Sequence, residues 1–283
     1  YIQEYYIKFN YTHERVNHVL EQIHSTVQKN TDFKPLGYSY DTMLWATHFS
    51  KNFKILFNNI SKYNLTQATM LISAAFFLVL LIQRLKPNKP WEQYHLLGSI
   101  WIVGFTEISL EIILILGFQI LWGAAYKILA LLIATYMLGL SLGSLYAWKI
   151  HQNRKASFHS FQWIQGTMTM FSLLCIGGIL LCQQIQNNNL QFLIPFVFIL
   201  LTLFAGSLGG FQFVLANHLY IKTQNNLAQK AGFLYGIDLF GSAFGALACS
   251  SLLIPILGIL KCLLFLSILN GSVVLLMMFK KEV

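Results

Sequence analysis

The sequence predicts an all-α, polytopic membrane protein, a bundle of about seven transmembrane helices, from three observations. Hydrophobic residues make up 56% of the 283 positions and charged residues only 10%, whereas a soluble domain carries roughly 25% charged residues. The apolar residues fall in runs near the ~20 residues that a helix needs to cross a bilayer. The runs lack the alternation of β-barrel strands. A water-soluble globule is therefore excluded.

Residues 1–64 differ from the rest and predict a water-facing segment. They hold seven of the nineteen basic and five of the ten acidic residues. Apolar residues at helical spacing predict an amphipathic helix over about 12–29: Val16, Leu20, Ile23 and Val27. A second stripe predicts a helix that lies in the membrane interface or packs on a soluble domain: Trp45, Phe49, Phe53, Leu56 and Ile60. We expect this segment to be the tail of a soluble domain in a longer protein.

Residues 65–283 form the predicted transmembrane bundle. Its seven apolar segments cover about 66–83, 96–121, 125–148, 162–183, 190–217, 231–254 and 256–279. Short polar connectors separate them, which is typical of a compact bundle. The bilayer is the first expected partner, and an apolar outer face predicts contact with other membrane subunits.

Basic residues orient the bundle because they gather in alternate connectors. One side carries Arg84, Lys86, Lys89, Lys149, Arg154, Lys155, Lys222, Lys230, Lys280 and Lys281. The other side carries only Lys127 and Lys261. The basic side, with the C-terminus, is therefore predicted to be cytoplasmic in a cell (inner) membrane. The net charge of +9 needs no nucleic-acid partner. If 66–83 spans, residues 1–64 lie outside the cytoplasm, but Lys51, Lys54 and Lys62 favour the inside, so their side stays open.

A weak internal repeat predicts that six of the helices form two inverted copies of three. Residues 134–144 (ATYMLGLSLGS) resemble residues 236–246 (GIDLFGSAFGA), and Gly117-Phe118-Gln119 resembles Gly210-Phe211-Gln212. Since three is an odd number, the second copy runs through the membrane in the opposite direction. This is the arrangement within each six-helix half of a major facilitator transporter.

Three acids lie within apolar runs: Glu107, Glu111 and Asp238. Charged groups are costly at bilayer depth, so these side chains are expected to face the bundle interior. Two interpretations stay open. They are hydrogen-bonded ties between helices, or they bind a small cationic ligand such as a polyamine or conduct protons. Lys127 or Lys261 is the candidate counter-ion for Glu111.

Two further polar side chains and four glycine pairs complete the candidate site residues. Gln119 and Tyr235 are candidate intramembrane polar groups, the second on the predicted face of Asp238. The glycine pairs, spaced four apart, are Gly139/Gly143, Gly206/Gly210, Gly232/Gly236 and Gly241/Gly245. Small residues at this spacing let helix backbones approach closely, so a packing role is predicted.

No cofactor or metal site is predicted. The four cysteines form no C-x-x-C motif and are expected to be buried thiols. The eight histidines lie in the N-terminal segment or at helix ends, so no pair is placed to hold a b-type haem. Phosphate-cradling and nucleotide-binding motifs are absent from the sequence.

Several of these motifs together resemble a known family. They are residues 106–111 (TEISLE), 117–119 (GFQ), 138–144 (LGLSLGS), and 232–243 (GFLYGIDLFGSA) with Pro255 and Gly258. They look like the membrane portion of integral-membrane spermidine synthase-like proteins, which join an aminopropyltransferase-like domain to major-facilitator-like helices. Asn30-Thr31-Asp32 with Pro35, Tyr38, Tyr40 and Trp45 resembles the join between the two parts.

The resemblance implies a membrane half without its own reaction. In that family a Rossmann-like domain with a glycine-rich loop and catalytic aspartates carries the aminopropyl transfer, and residues 1–64 contain no such loop. The sequence therefore predicts a non-catalytic anchor or accessory subunit of a larger membrane complex. Two alternatives stay open: a transporter of polyamines or other organic cations that uses the three acids, and the membrane part of an aminopropyltransferase whose catalytic domain lies upstream.

Overall fold

In the computed structural model the chain is described over residues 12–22, 91–123, 125–153, 157–186, 190–221 and 227–278. Isolated residues at 30, 31, 33, 34, 37, 44, 67, 70, 75 and 78 are also described. The helices are α1 (His13–Gln22), α2 (Trp91–Trp122), α3 (Tyr126–Asn153), α4 (Phe158–Ile185), α5 (Ile194–Ile221), α6 (Leu227–Ala248), α7 (Ile254–Leu257) and α8 (Ile259–Met278). The predicted interfacial helix lies outside the described residues. So do the end of the predicted 12–29 helix and most of segment 66–83.

The described residues contain six helical segments long and apolar enough to cross a membrane. They are His95–Trp122, Tyr126–Ile150, Phe158–Ile185, Gln191–Ile221, Leu227–Leu257 and Ile259–Met278. These match six of the seven apolar segments predicted from the sequence. The prediction of a polytopic helical membrane bundle is confirmed.

The helices pair in a pattern with two-fold pseudo-symmetry, in which α2, α3 and α4 correspond to α5, α6 and α8. The most extensive contact joins α3 to α5, and the next joins α2 to α6, which is its symmetry mate. The other large contacts join α4 to α8 and α2 to α5. Each of these joins a helix to its own symmetry mate, so the pseudo-two-fold operation only exchanges the two partners. Helices α2, α4, α5 and α8 thus form a central group, with α3 and α6 outside it. This is the topology of an inverted 3+3 repeat.

Close backbone contacts fix the register of this repeat at 102 residues. A Cβ at Gly139 would overlap the carbonyl oxygen of Leu203, and a Cβ at Gly241 would overlap that of Trp101. Gly241 lies 102 positions after Gly139, and Trp101 lies 102 positions before Leu203. The same relation links the contact of Gly143 with Ser207 to that of Gly245 with Phe105, and the contact of Gly206 with Tyr136 to that of Gly104 with Asp238.

This register agrees with one of the two sequence matches and corrects the other. Residues 134–144 and 236–246 are structural equivalents. The triplets Gly117-Phe118-Gln119 and Gly210-Phe211-Gln212 are not, since they lie 93 positions apart. Gly210 contacts the Leu140 carbonyl of α3, whereas Gly117 contacts the side chains of Ile179 and Phe198. The triplets resemble each other in sequence but serve different helix contacts.

The turn between α7 and α8 is joined to the N-terminal segment. Gly258 ends α7 with φ 79°, a conformation that favours glycine, and α8 begins at the next residue. The Ile259 amide donates to the Phe33 carbonyl at 3.0 Å, which satisfies an N–H group at the start of α8. The Phe33 side chain packs against the main core. Because this turn lies at the membrane side opposite the basic connectors, residues 33 and 34 lie on that side too.

The interior is apolar and the outer faces are largely apolar as well. The main core includes fully buried Phe118, Phe198 and Leu263. Large exposed hydrophobic residues cover the outer faces of α3 and α6, which is expected where a helix faces lipid or another membrane subunit. On α3 and α6 they include the symmetry-related pairs Leu138 and Phe240, Leu142 and Phe244, and Leu145 and Leu247.

Candidate functional site

Glu107 lies in the middle of α2, where α2 crosses α5. Its carboxylate rests on Gly209, so that a side chain at position 209 would overlap Cδ and both carboxylate oxygens. Its Oε1 atom is buried and has no hydrogen-bond partner among the described residues. Glu107 and Gly209 are equivalent positions in the two repeats, so this contact lies at the pseudo-two-fold axis. The carboxylate therefore fills part of the contact between the two halves.

Asp238 lies at the contact of α6 with α2. Its backbone carbonyl and its Oδ1 atom both lie over Gly104, where a Cβ would come within 2.8 Å of Oδ1. Gly104 is one turn before Glu107 on the same helix face. The absence of a side chain at Gly104 thus brings two acids into one region of the bundle.

Tyr136 of α3 and Glu111 lie in the same part of the bundle. Both are buried; Glu111 follows Glu107 by one turn of α2, and the Tyr136 carbonyl lies over Gly206, one turn before Gly209 on α5. The structure thus places the three predicted acids and one buried tyrosine in one region. The sequence interpretation missed Tyr136, although the match of residues 134–144 with 236–246 already pairs it with Asp238.

The two lysines proposed as counter-ions lie at the surface. Lys127 is in the first turn of α3 and Lys261 is in the first turn of α8, and both side chains are exposed. No ion pair with Glu107, Glu111 or Asp238 is found within the described part of the chain. The proposed pairing of Glu111 with a lysine is therefore not seen in these residues.

Gln119 and Tyr235 lie away from the acid cluster. Gln119 is three turns beyond Glu107, about 18 Å along α2, and is half-buried. Tyr235 is 53% exposed, and its ring contacts that of Phe213 edge to face at 6.1 Å between centroids. Although Tyr235 lies only three positions before Asp238, the tyrosine is directed outward, towards the exposed face of α6.

Three of the four predicted glycine pairs lie at helix contacts. Gly139/Gly143 of α3, Gly206/Gly210 of α5 and Gly241/Gly245 of α6 each face backbone carbonyls of a neighbouring helix. Gly232 and Gly236 do not: a Cβ at either position would meet no described atom within 4 Å, and both are exposed. The reason is the position of the two glycines around the helix axis. Gly241 lies nine positions, or two and a half turns, after Gly232, which places Gly232 on the opposite side of α6.

A buried hydrogen-bonded chain joins the four central helices beside Glu107, and the sequence interpretation did not predict it. Gln212 of α5 donates through Nε2 to Gln165 Oε1 of α4. Gln165 Nε2 donates to Asn270 Oδ1 of α8 at 2.7 Å, and Asn270 Nδ2 donates to Thr106 Oγ1 of α2 at 2.9 Å. All four residues are fully buried. The available signal was an amide or hydroxyl side chain within each of four apolar runs.

This chain of hydrogen bonds has a direction and leaves one acceptor without a donor. Thr106 Oγ1 donates in turn to the Ile102 carbonyl at 2.8 Å, so every step runs from α5 towards α2. At its start, Gln212 Oε1 is buried and accepts no hydrogen bond from the described residues. Gln212 follows Gly209 by one turn and therefore faces the same side of α5 as the Glu107 contact.

The described residues contain no group of three or more His, Cys, Asp and Glu side chains arranged to hold a metal ion. All four cysteines are free and buried, and Cys249 and Cys262 lie with their sulfurs 4.0 Å apart. The polar interior thus consists of carboxylates, amides and hydroxyls.

These observations define the class of protein: a multi-pass helical membrane protein with a pseudo-symmetric core and a polar cluster at the contact of its two halves. Comparison with known proteins finds no matching family model, no matching curated protein and no matching solved structure.

Proposed function

We propose that this chain is the non-catalytic membrane half of a spermidine synthase-like protein and serves as an anchor or accessory subunit of a larger membrane complex. The observation that carries this proposal is the position of the acids. Glu107 packs against Gly209 and Asp238 packs against Gly104, so that each acid fills the space that a side chain at the glycine would take. Acids packed in this way support the contact of the two halves.

The hydrogen-bonded chain supports the same function. It connects Gln212, Gln165, Asn270 and Thr106 across four helices, and glycines bring α3 onto α5 and α6 onto α2. Interhelical hydrogen bonds in membranes stabilise by about 0.6 kcal/mol on average, and close backbone packing adds van der Waals attraction. Such a core favours one arrangement of the helices, as an anchor requires.

The outer face of α6 offers a surface for another subunit. Phe233, Phe240 and Phe244 are each at least 50% exposed, and Leu247 continues the same apolar surface. Aromatic side chains bury a large area when they enter a protein contact. We infer that this face is where the chain meets the complex.

Site-specific photocrosslinking in native membranes tests this function. A photoreactive phenylalanine analogue at position 240 is expected to form a protein adduct of defined mass, identified by mass spectrometry. The same analogue at position 118, which is fully buried, is the matched control and is expected to give no intermolecular adduct. Adducts with lipid alone at positions 233, 240 and 244 would contradict a subunit contact at this face.

A transporter of polyamines or other organic cations is the second candidate. It is favoured by one observation, the position of Glu107, Glu111 and Asp238 in one region of the bundle, with Glu107 Oε1 lacking a hydrogen-bond partner among the described residues. Spermidine flux into proteoliposomes that contain the purified protein separates the two candidates. The anchor function predicts no flux above empty liposomes. Flux that Glu107→Gln abolishes at normal protein levels would establish transport.

A further inference from the structure

Two buried oxygen atoms at the centre of the bundle accept no hydrogen bond from the described residues. They are Glu107 Oε1 on α2 and Gln212 Oε1 on α5. The Glu107 carboxyl group rests on Gly209, and Gln212 follows Gly209 by three positions on the same face of α5. Residues three apart on a helix have Cβ atoms about 5–6 Å apart, which is within reach of a glutamine side chain. Because buried polar atoms are nearly always hydrogen-bonded, two such atoms at one helix crossing point to a common partner.

The direction of the hydrogen-bonded chain leaves Gln212 Oε1 in need of a donor. Asn270 Nδ2 donates to the Leu266 carbonyl at 2.8 Å, and a carbonyl can only accept. Asn270 therefore presents its Oδ1 atom to Gln165, which must donate to it through Nε2. Gln165 is left with Oε1 to accept from Gln212 Nε2. The group that remains at the start of the chain is the Gln212 amide oxygen, which is an acceptor.

Glu107 is the described residue that faces this acceptor from α2, and only one form of its carboxyl group can serve it. An ionised carboxylate accepts hydrogen bonds but donates none, whereas a protonated carboxyl group donates through its O–H. With Glu107 ionised, two buried acceptors would face each other. With Glu107 protonated, its own O–H would be the donor that Gln212 Oε1 needs.

The charges around Glu107 favour the neutral form as well. The other titratable groups of this region are Asp238 on α6, Glu111 on α2 and Tyr136 on α3, and none of them can carry a positive charge. The basic residues of the six transmembrane segments lie near helix ends. A buried carboxylate without a counter-ion is costly at bilayer depth and is neutralised by taking up a proton.

We propose that Glu107 is a proton-binding site in the folded protein and donates its hydrogen to Gln212 Oε1. This one bond satisfies both buried oxygens. It also closes the chain into a ring that leaves α2 at Glu107, passes through α5, α4 and α8, and returns to α2 at the neighbouring residue Thr106. These four helices contact each other in the same order. The inference rests on the hydrogen bonds and not on the proposed anchor function.

Infrared spectroscopy of the purified chain at neutral pH tests for the proton, because a protonated carboxyl group has a carbonyl band that an ionised carboxylate lacks. The difference spectrum between the wild-type protein and Glu107→Gln is expected to show the loss of one carboxylic acid band. Glutamine at position 107 can still donate to Gln212 Oε1 through its amide, so this variant should fold. The loss of a carboxylate band in place of an acid band would show that Glu107 is ionised and would overturn the proposal.

Gln212→Leu tests where the proton is donated. The acid O–H would lose its acceptor, and the carbonyl band of a carboxylic acid that makes no hydrogen bond lies at higher frequency, so the band should move upward. Gln212→Asn, which withdraws the amide by one methylene group, should move it the same way and serves if the leucine variant does not fold. Gln119→Leu removes an amide from α2 about 18 Å from Glu107 and is the matched control. An unmoved band in the Gln212 variants, or an equal shift in Gln119→Leu, would contradict the bond to Gln212.

Discussion

The carboxylate of Glu107 occupies the space that a side chain at Gly209 would fill, and these two residues are equivalent positions of the internal repeat. The pair therefore marks the pseudo-two-fold axis between the halves. Thr169 and Gly271 stand in the same relation, with the Thr169 methyl carbon 3.5 Å from a Cβ built at Gly271. One contact joins α2 to α5 and the other joins α4 to α8. Together they explain why the two halves pack through small residues.

Adding a methyl group at an interfacial glycine is expected to destabilise the protein. In Gly143→Ala the new Cβ would overlap the Ser207 carbonyl, and overpacking of this kind costs about 1–3 kcal/mol. Gly236→Ala is the matched control, since it places the same methyl group in open space. There alanine should be neutral or stabilise the helix by up to about 1 kcal/mol. Equilibrium unfolding in detergent measures both free-energy changes. Equal destabilisation by the two substitutions would contradict the placement of Gly143 at a helix contact and of Gly236 on the exposed face of α6.

Removing Asn270 is expected to break the hydrogen-bonded chain at its centre. Asn270→Leu leaves Gln165 Nε2 without its acceptor and Thr106 Oγ1 without its donor. Each interhelical bond in a membrane contributes about 0.6 kcal/mol and at most about 1.7, so the loss should be about 1–3 kcal/mol. Gln119→Leu, which lies outside this chain, should have little effect. A double-mutant cycle of Gln165 with Asn270 should show coupling, and strict additivity would contradict a direct bond.

The helices were predictable from the sequence because bilayer length and apolar composition determine them locally. The acids were also recognised, since a carboxylate in an apolar run is rare. The sequence did not reveal the rotation of each helix about its axis or the contacts between residues far apart in the chain. Gly232 and Gly236 have the same spacing as Gly241 and Gly245 but lie outside the contact, and only the rotation of α6 against α2 distinguishes them. Asn270 and Gln165 become a pair only when α4 and α8 meet.

The side of the N-terminal segment is open to a direct test. The hydrogen bond from Ile259 to Phe33 predicts that residue 31 and residue 261 face the same compartment. Single cysteines at the exposed positions Thr31 and Lys261 should react with a membrane-impermeant maleimide from one side. A cysteine at Lys149, exposed at the end of α3, should react only from the other. The four native cysteines are buried, so their background labelling should be low. Labelling of positions 31 and 149 from the same side would contradict this arrangement.

A double-mutant cycle between Glu107 and Gly209, measured as the free energy of unfolding, tests whether the buried acid supports the contact between the halves. If the carboxylate is a packing element of the contact between the halves, Gly209→Ala should destabilise the native protein. The same substitution should cost little in a Glu107→Ala background, where the overlapping atoms are gone, so that the coupling is about 1–3 kcal/mol. Additive effects of the two substitutions would show that Glu107 does not support this contact and would contradict a structural role for the acids.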